Sequence, residues 1–152
     1  MNDTVEERFD VCVVGLGYVG LTLATAFAAT GMRVAGTERR GEILAALGRG
    51  EATFYEAGLS ETLREVVVEG RLTAIAADSP LPRASSYVIT VGTPLEDGRV
   101  QQEDLARALE SVAGGMPAGA LVVLRSTVRL GSTSDPAAAT LAASGKEFLL
   151  AM

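Results

Sequence analysis

The sequence predicts an α/β protein with a doubly wound parallel sheet of six strands in a single domain. Short apolar runs alternate with stretches of helical pattern along the chain, the order that produces a parallel sheet covered by helices on both faces. The first apolar run also leads into glycines at G-x-G-x-x-G spacing, the layout of a strand, a tight turn and a helix. We expect the strand order 3-2-1-4-5-6, with a ligand crevice at the carboxyl ends of strands one and four.

The predicted strands are short and rich in β-branched or aliphatic residues, as buried parallel strands are. They are Phe9–Val14, Arg33–Thr37, Leu72–Ala76, Tyr87–Val91, Leu121–Arg125 and Glu147–Ala151. The predicted helices are Val19–Thr30, Glu42–Leu47, Ser60–Glu69, Glu103–Ala113 and Pro136–Ala143. Ser60 is a candidate N-cap, and Asp135 is a clearer one because a proline follows it at the first helical position.

The glycine turn after the first strand has the features of a dinucleotide site. Gly15 permits a tight turn, Gly17 lets the backbone approach a pyrophosphate, and Gly20 lets the helix pack close to the strand. The helix that begins near Tyr18 directs unpaired N–H groups at the phosphates. Glu38 follows Gly20 by 18 residues, close to the offset of about 20 expected for the acid that bonds the adenosine ribose. A glycine turn without a ligand is the alternative, but the strand, helix, second strand and terminal acid together favour the dinucleotide.

Composition excludes several other classes of function. A length of 152 residues with 48% hydrophobic content fits one domain with a substantial core. The net charge of −6 and the lack of any basic block argue against a nucleic-acid partner. Cys12 is the only cysteine, so no intrachain disulfide forms, which suits the cytoplasm, and its apolar surroundings predict a buried structural thiol. The chain contains no histidine, and we expect no metal site.

Residues 11–32 carry no charge and could be mistaken for a membrane span. The stretch contains four glycines and three threonines, and the residues before it are mainly acidic, whereas a signal peptide begins with a positive region. We interpret it as core and expect no membrane partner.

Three further loops are expected near the crevice: residues 91–94 after the fourth strand, residues 126–128 after the fifth, and residues 54–59 ahead of the third. Hydroxyls and backbone N–H groups at strand ends are well placed to bond a nicotinamide ribose or a phosphate. Taken singly, each loop also has an ordinary structural explanation: a Gly-Thr-Pro turn, a Ser-Thr helix cap, and a Tyr55 that covers the edge of the core.

Four segments together resemble a known family. They are V-V-G-L-G-Y-V-G-L (13–21), F-Y-E-A-G-L (54–59), V-G-T-P-L (91–95), and S-T-V with G-S-T downstream (126–133). In this order and spacing they resemble the nucleotide-sugar 6-dehydrogenases, the UDP-glucose/GDP-mannose/UDP-N-acetylmannosamine dehydrogenase family. The resemblance covers nearly the whole chain and is to the amino-terminal NAD-binding domain, which has a Rossmann fold.

The resemblance implies a set of cofactor-binding residues. Those that would hold the pyrophosphate are Gly15, Gly17, Tyr18, Val19 and Gly20, and Glu38 would bond the adenosine ribose. Those that would line the nicotinamide side are Val91, Gly92, Thr93, Pro94, Ser126, Thr127 and Val128. Since the threonine of the S-T-V segment lies near the reacting centre in the family, Thr127 is the candidate for an auxiliary catalytic role.

The residue at the ribose position departs from the family, which usually has Asp where this chain has Glu38. Arg39 and Arg40 follow directly and could accommodate a 2′-phosphate, which keeps NADP open as an alternative. Both arginines could equally be solvated residues at a helix start, and Glu38 would repel a phosphate. We therefore expect NAD.

In the family, the C6 alcohol of a nucleotide-linked sugar is oxidised to a carboxylate with two NAD, and the nucleophile is a cysteine in a later domain. Cys12 cannot take that role in the first strand, and no substrate-domain motif surrounds Lys146, the only lysine. We expect residues 1–152 to be the NAD-binding domain of a longer cytoplasmic, homo-oligomeric enzyme of polysaccharide biosynthesis, and to bind cofactor without turnover. The nucleotide-diphosphate sugar would bind through the domain that this chain lacks.

Two alternatives to this assignment stay open. One is a free-standing dinucleotide-binding module, and the other is the Rossmann domain of a 3-hydroxyacid or 6-phosphogluconate type of dehydrogenase. The Y-E-x-G-L pattern at 55–59 favours the nucleotide-sugar family over the second alternative, because those relatives lack it.

Overall fold

The computed structural model describes residues 8–92, 95–96, 99–100, 102–126 and 134–152. Its strands are β1 (Phe9–Val14), β2 (Val34–Glu38), β3 (Leu72–Ala76), β4 (Ala84–Ile89), β5 (Leu95–Glu96), β6 (Arg99–Val100), β7 (Ala120–Leu124) and β8 (Phe148–Ala151). Its helices are α1 (Tyr18–Ala29), α2 (Gly41–Gly48), α3 (Leu59–Val68), α4 (Glu103–Gly115) and α5 (Ser134–Ala142).

Six of the strands form one parallel sheet in the order β3-β2-β1-β4-β7-β8. Counted along the chain without the short β5 and β6, this is the predicted order 3-2-1-4-5-6, so the predicted fold class is confirmed. The order reverses between β1 and β4, and a crevice forms at such a reversal because the flanking connections leave on opposite faces.

The sheet separates two apolar cores, and the side chains of β1 contribute alternately to both. Cys12 and Val14 belong to the core that also contains residues of α4 and α5, whereas Val11 and Val13 belong to the core under α1 and α3. Successive side chains of a strand point to opposite faces, so an uninterrupted apolar run is what a strand buried on both faces needs. Burial raises the pKa of the Cys12 thiol to about 12, so this cysteine is an inert core residue, as the sequence predicted.

The predicted start of the fourth strand was wrong. β4 begins at Ala84 rather than Tyr87, because Ala84 pairs with Phe9 and Ser86 pairs with Val11 of β1. The phenol of Tyr87 donates to the carbonyl of Pro82 and accepts from the amide of Ala84, both at 3.0 Å, which satisfies this fully buried hydroxyl.

The predicted N-caps of two helices were also wrong. α3 begins at Leu59, and its N-cap is Gly58 in the left-handed region with φ of 77°, so Ser60 lies inside the first turn. A glycine adopts this φ without steric cost, which explains why the helix begins before the serine. α5 begins at Ser134, which places Asp135 within the helix rather than ahead of it.

The sequence reading missed the antiparallel pair β5 and β6, in which Leu95 pairs with Val100 and Glu96 with Arg99. The dipeptide Asp97-Gly98 between them is a typical two-residue hairpin signal, so the sequence did contain the cue.

The only lysine of the chain has a structural role. The ammonium group of Lys146 donates to the carbonyls of Gly114 at 3.2 Å and Met116 at 2.8 Å, at the carboxyl end of α4. A cation there satisfies carbonyls that have no partner within the helix and complements the helix dipole. Among the described residues, no helix is long and apolar enough to cross a membrane.

Candidate functional site

A cleft of about 630 Å³ opens at the carboxyl ends of β1, β2 and β4, where the strand order reverses. Its floor is the glycine turn between β1 and α1, and α4 forms one wall. The residues that line it are Val14, Gly15, Gly17, Thr37, Glu38, Arg39, Arg40, Ala77, Leu81, Thr90, Val91, Gly92, Asp104, Arg107, Ala108, Glu110 and Ser111.

Steric constraints differ at the three glycines of the turn. Gly15 has φ of +99°, and a Cβ there would lie 3.2 Å from the backbone of Val91. A Cβ on Gly20 would lie 1.8 Å from the carbonyl oxygen of Gly15 and 2.5 Å from Oγ1 of Thr90, so only glycine allows α1 to approach the turn this closely. A Cβ on Gly17 would meet no described atom within 4 Å, and the space beside this residue is the cleft itself.

Thr90, which the sequence reading did not single out, joins β4 to the glycine turn. Its hydroxyl donates to the carbonyl oxygen of Gly15 at 2.7 Å. The hydroxyl of Ser126, at the end of β7, donates in turn to the carbonyl of Val91 at 2.7 Å. These two bonds hold the carboxyl ends of three neighbouring strands together around the floor of the cleft.

Glu38 lies at the tip of β2, with 7% of its surface exposed, and its carboxylate accepts four hydrogen bonds. It accepts hydrogen bonds from the amides of Arg39 at 2.9 Å and Arg40 at 3.1 Å. The guanidinium of Arg40 adds two more, from Nε at 3.0 Å and Nη2 at 3.1 Å. Burial raises the pKa of Glu38, but the Arg40 guanidinium and the two amides outweigh it and hold this pKa below its ordinary value of 4.5.

The side chain of Arg39 takes a different direction from that of Arg40. Its Nη1 and Nη2 donate to the two carboxylate oxygens of Asp104 on α4, at 2.8 Å and 2.9 Å. This two-bond pair connects the tip of β2 to the opposite wall of the cleft. Both arginines that follow Glu38 are therefore paired with carboxylates rather than simply solvated.

The segment 54–59 was expected near the crevice; it contacts Tyr18 at the start of α1, but none of its residues lines the cleft. The hydroxyl of Tyr18 donates to the carboxylate of Glu56, and the rings of Tyr18 and Phe54 lie with their centroids 4.8 Å apart. The bond to Glu56 and the charge of that carboxylate raise the pKa of Tyr18. Tyr55 is 91% exposed, so the interpretation that it covers the edge of the core was wrong.

The structure brings only part of the predicted cofactor-binding set to the cleft. Gly15, Gly17, Glu38, Val91 and Gly92 line it. The remaining residues of the set divide into three groups. On the first turn of α1, Gly20 is buried, and Tyr18 and Val19 are exposed. Ser126 does not line the cleft but donates a hydrogen bond to the carbonyl of Val91, which does. The residues that lie outside the described ranges are Thr93, Pro94, Thr127 and Val128.

Sequence reasoning missed the wall that α4 contributes. Asp104, Arg107 and Ser111 lie on the cleft side of this helix. The amphipathic pattern of the segment predicts a helix with a polar face, but not which neighbour that face meets, because the crossing of α4 over the sheet is a tertiary property.

Comparison with known proteins shows the family to which the chain belongs. The model of the UDP-glucose/GDP-mannose dehydrogenase family, NAD binding domain, matches residues 9–150. The chain belongs to this family. It is an NAD-binding domain of Rossmann type, from a family of oxidoreductases, and NAD is its cofactor.

Individual relatives agree with this assignment. The UDP-N-acetyl-D-mannosamine dehydrogenase of Pyrococcus horikoshii is 35% identical over 127 residues, which are 84% of this chain and 30% of that protein. The UDP-glucose 6-dehydrogenase of Pseudomonas aeruginosa is 39% identical over 124 residues, 80% of this chain and 27% of that protein. The structure of the Pyrococcus horikoshii UDP-D-ManNAc dehydrogenase superposes with a TM-score of 0.86 at 32% identity, covering 95% of this chain and 35% of that one. This chain thus spans about 30% of the length of the first of these relatives.

Proposed function

We propose that the cleft at the carboxyl edge of the sheet holds NAD for a longer nucleotide-sugar 6-dehydrogenase. The observation that carries this proposal is an open glycine turn and a buried carboxylate on one cleft. No described atom lies within 4 Å of a Cβ built on Gly17, and Glu38 lies at the tip of the adjacent strand. A dinucleotide needs these two features in that arrangement, one for its pyrophosphate and one for its adenosine ribose.

The pyrophosphate would lie over the glycine turn. Helix α1 begins at Tyr18 with Gly17 as its N-cap, and no acidic residue occupies its first turn. The first amides of a helix have no partner within it, and the dipole makes this end positive, so a phosphate is bound there by backbone groups. Gly15 and Gly20 act indirectly by letting the turn and the helix adopt this position.

The adenosine ribose would bond to Glu38. Arg40 and two amides hold this side chain in place as a carboxylate. Three of its four hydrogen bonds go to Oε1, so Oε2, which accepts only one, would accept the bond from the ribose. The same negative charge disfavours a 2′-phosphate, in agreement with NAD as the cofactor.

The nicotinamide end would extend along Val91 and Gly92 toward the residues 93–94 and 126–128. Ser126 supports this end through its bond to the carbonyl of Val91, and Thr127 stays the candidate for an auxiliary catalytic role. When bound, NAD supplies the hydride acceptor, and two NAD are consumed when an alcohol becomes a carboxylate. The residues of this chain bind and orient that acceptor.

The nucleophile and the sugar site would lie outside these 152 residues. The one cysteine here is fully buried in β1 with its pKa raised to about 12, so it cannot form a thioester with a substrate. We therefore assign residues 1–152 to cofactor binding without turnover. The nucleotide-diphosphate sugar, the homo-oligomeric state, the cytoplasmic location and the role in polysaccharide biosynthesis belong to the proposal for the whole protein.

Calorimetric titrations of the chain with NAD and with NADP test this function, together with an assay for NADH formation in the presence of UDP-glucose or UDP-N-acetylmannosamine. We expect saturable binding of NAD, weaker binding of NADP, and no NADH. A chain that binds neither dinucleotide would contradict the proposed site, and a chain that forms NADH would contradict the assignment of catalysis to other residues.

A further inference from the structure

The two arginines after Glu38 would be the natural partners of a 2′-phosphate, yet each is engaged by a carboxylate. Arg40 uses Nε and Nη2 on Glu38 itself. Arg39 uses both terminal nitrogens on Asp104, a residue 65 positions later in the chain, in the fork-to-fork geometry that makes arginine–carboxylate pairs specific.

The geometry points to Asp104 of α4 as a positioning residue that sets the preference for NAD over NADP, because it keeps the guanidinium of Arg39 paired and unavailable to a 2′-phosphate. This inference rests on the proposed placement of the adenosine ribose at Glu38. It adds a second, separate element of discrimination, from the opposite wall of the cleft, to the repulsion by Glu38.

The solvent exposure of the two side chains indicates that the bond to Asp104, rather than packing, determines the direction of the Arg39 side chain. The side chain of Arg39 is 61% exposed, and that of Asp104 is 28% exposed. An arginine with that much solvent access is not confined by its neighbours, so the carboxylate supplies the force that selects its rotamer.

Binding of a 2′-phosphate would then carry two penalties. Arg39 would have to leave Asp104 before it could serve the phosphate, and the carboxylate left behind would remain on the cleft wall as a negative charge. A 2′-hydroxyl requires neither change. Asp104 is also within 3.8 Å of Arg107, so its removal leaves a second cleft arginine less neutralised.

The variant Asp104→Asn tests the inference, because it removes the charge and keeps the shape. We expect the Kd for NADP to fall about fivefold, the size of effect that one exposed ion pair supplies, and the Kd for NAD to change less than about twofold. The matched control is Glu103→Gln, which removes the same charge from the same helical turn. Glu103 pairs with Arg107 at 3.6 Å, and no bond to Arg39 is found among the described contacts.

A second pair of variants separates Arg39 from a general change in charge. Arg39→Met alone should not lower the Kd for NADP, because it leaves the Asp104 carboxylate unpaired on the cleft wall, and added to Asp104→Asn it should abolish the gain. An unchanged Kd for NADP in Asp104→Asn, an equal gain in Glu103→Gln, or a gain that survives Arg39→Met would each overturn the inference. So would a lower Kd for NADP in Arg39→Met alone, because the Arg39 side chain would then hinder the phosphate rather than be withheld from it.

The same titrations with adenosine 5′-monophosphate and adenosine 2′,5′-bisphosphate distinguish this inference from the proposed function. If the wild-type chain binds neither dinucleotide, the proposed function fails. A gain for the bisphosphate in Asp104→Asn would still support the role of Asp104, and no gain would overturn it.

Discussion

At the scale of single residues, Glu38 is the group on which the adenosine end of the proposed site depends. If its carboxylate bonds the ribose, Glu38→Ala should weaken NAD binding by about 1–3 kcal/mol, the cost of losing hydrogen bonds to a charged acceptor. Calorimetry measures this directly. Glu51→Ala is a matched control, because Glu51 also pairs with an arginine two residues away, at 2.7 Å from Arg49, but lies outside the cleft. Unchanged affinity in Glu38→Ala would remove this residue from the site.

The lowered pKa of Glu38 also makes a prediction for stability. A carboxylate whose pKa is lower in the folded than in the unfolded protein contributes stability above the unfolded pKa, ordinarily 4.5, and loses that contribution as the pH falls through the folded pKa. The difference in free energy of unfolding between the wild type and Glu38→Gln, measured by urea denaturation, should therefore shrink between about pH 7 and about pH 3.

The exposed pair of Glu51 with Arg49 provides the comparison for that measurement. Its carboxylate pKa is also lowered, but solvent screens the pair, so Glu51→Gln should show a smaller dependence on pH. A difference for Glu38→Gln that stays constant or grows toward acid pH would show that Arg40 does not hold this carboxylate in solution.

At the scale of elements, the connection from β1 to α1 separates an architectural glycine from a ligand-facing one. Gly20→Ala should lower the free energy of unfolding by about 3 kcal/mol, because the new Cβ would clash with the backbone of Gly15. Gly17→Ala should lower the free energy of unfolding by only about 1 kcal/mol, the cost of alanine at an N-cap, since φ is −73° and the space is open. It should nevertheless weaken NAD binding at least about tenfold, because the new methyl group would occupy the pyrophosphate position. Denaturation and calorimetry on both variants measure the two effects.

The predictions for the two variants can be contradicted independently. Gly17→Ala with the affinity of the wild type would show that the phosphates do not pass over the turn. Gly20→Ala with wild-type stability would show that α1 does not approach Gly15 as closely as described.

Elements whose sequence patterns are local were predictable, and those shaped by neighbours were less so. The bounds of β1 and β3 are the predicted ones, because each is a short apolar run between clear breakers. The start of β4 was missed since Ser86 joins the strand through its pairing with Val11 of β1 and Leu121 of β7, which are distant in the chain. The α3 N-cap was misjudged because Gly58 takes the left-handed conformation that the serine motif did not suggest.

At the scale of the whole molecule, strand order and the position of the cleft followed from the alternation of elements and from one glycine motif. The α4 wall did not, because the contact between Arg39 and Asp104 joins residues far apart in the chain, and only the folded helix brings them together. The identity of the sugar substrate and other properties of the whole protein could not be predicted. They depend on the part of the relatives that this chain does not match, since it spans about 30% of their length.

The most direct measurement is a titration of the ¹⁵N-labelled chain with NAD, followed by the amide signals in two-dimensional NMR spectra. We predict that the amides of Gly15, Gly17 and Gly20 and those of residues 38–40 shift as NAD is added, while those of β8, at the far edge of the sheet, do not. Shifts confined to other surfaces, or no shifts at millimolar NAD, would contradict the placement of the cofactor in this cleft.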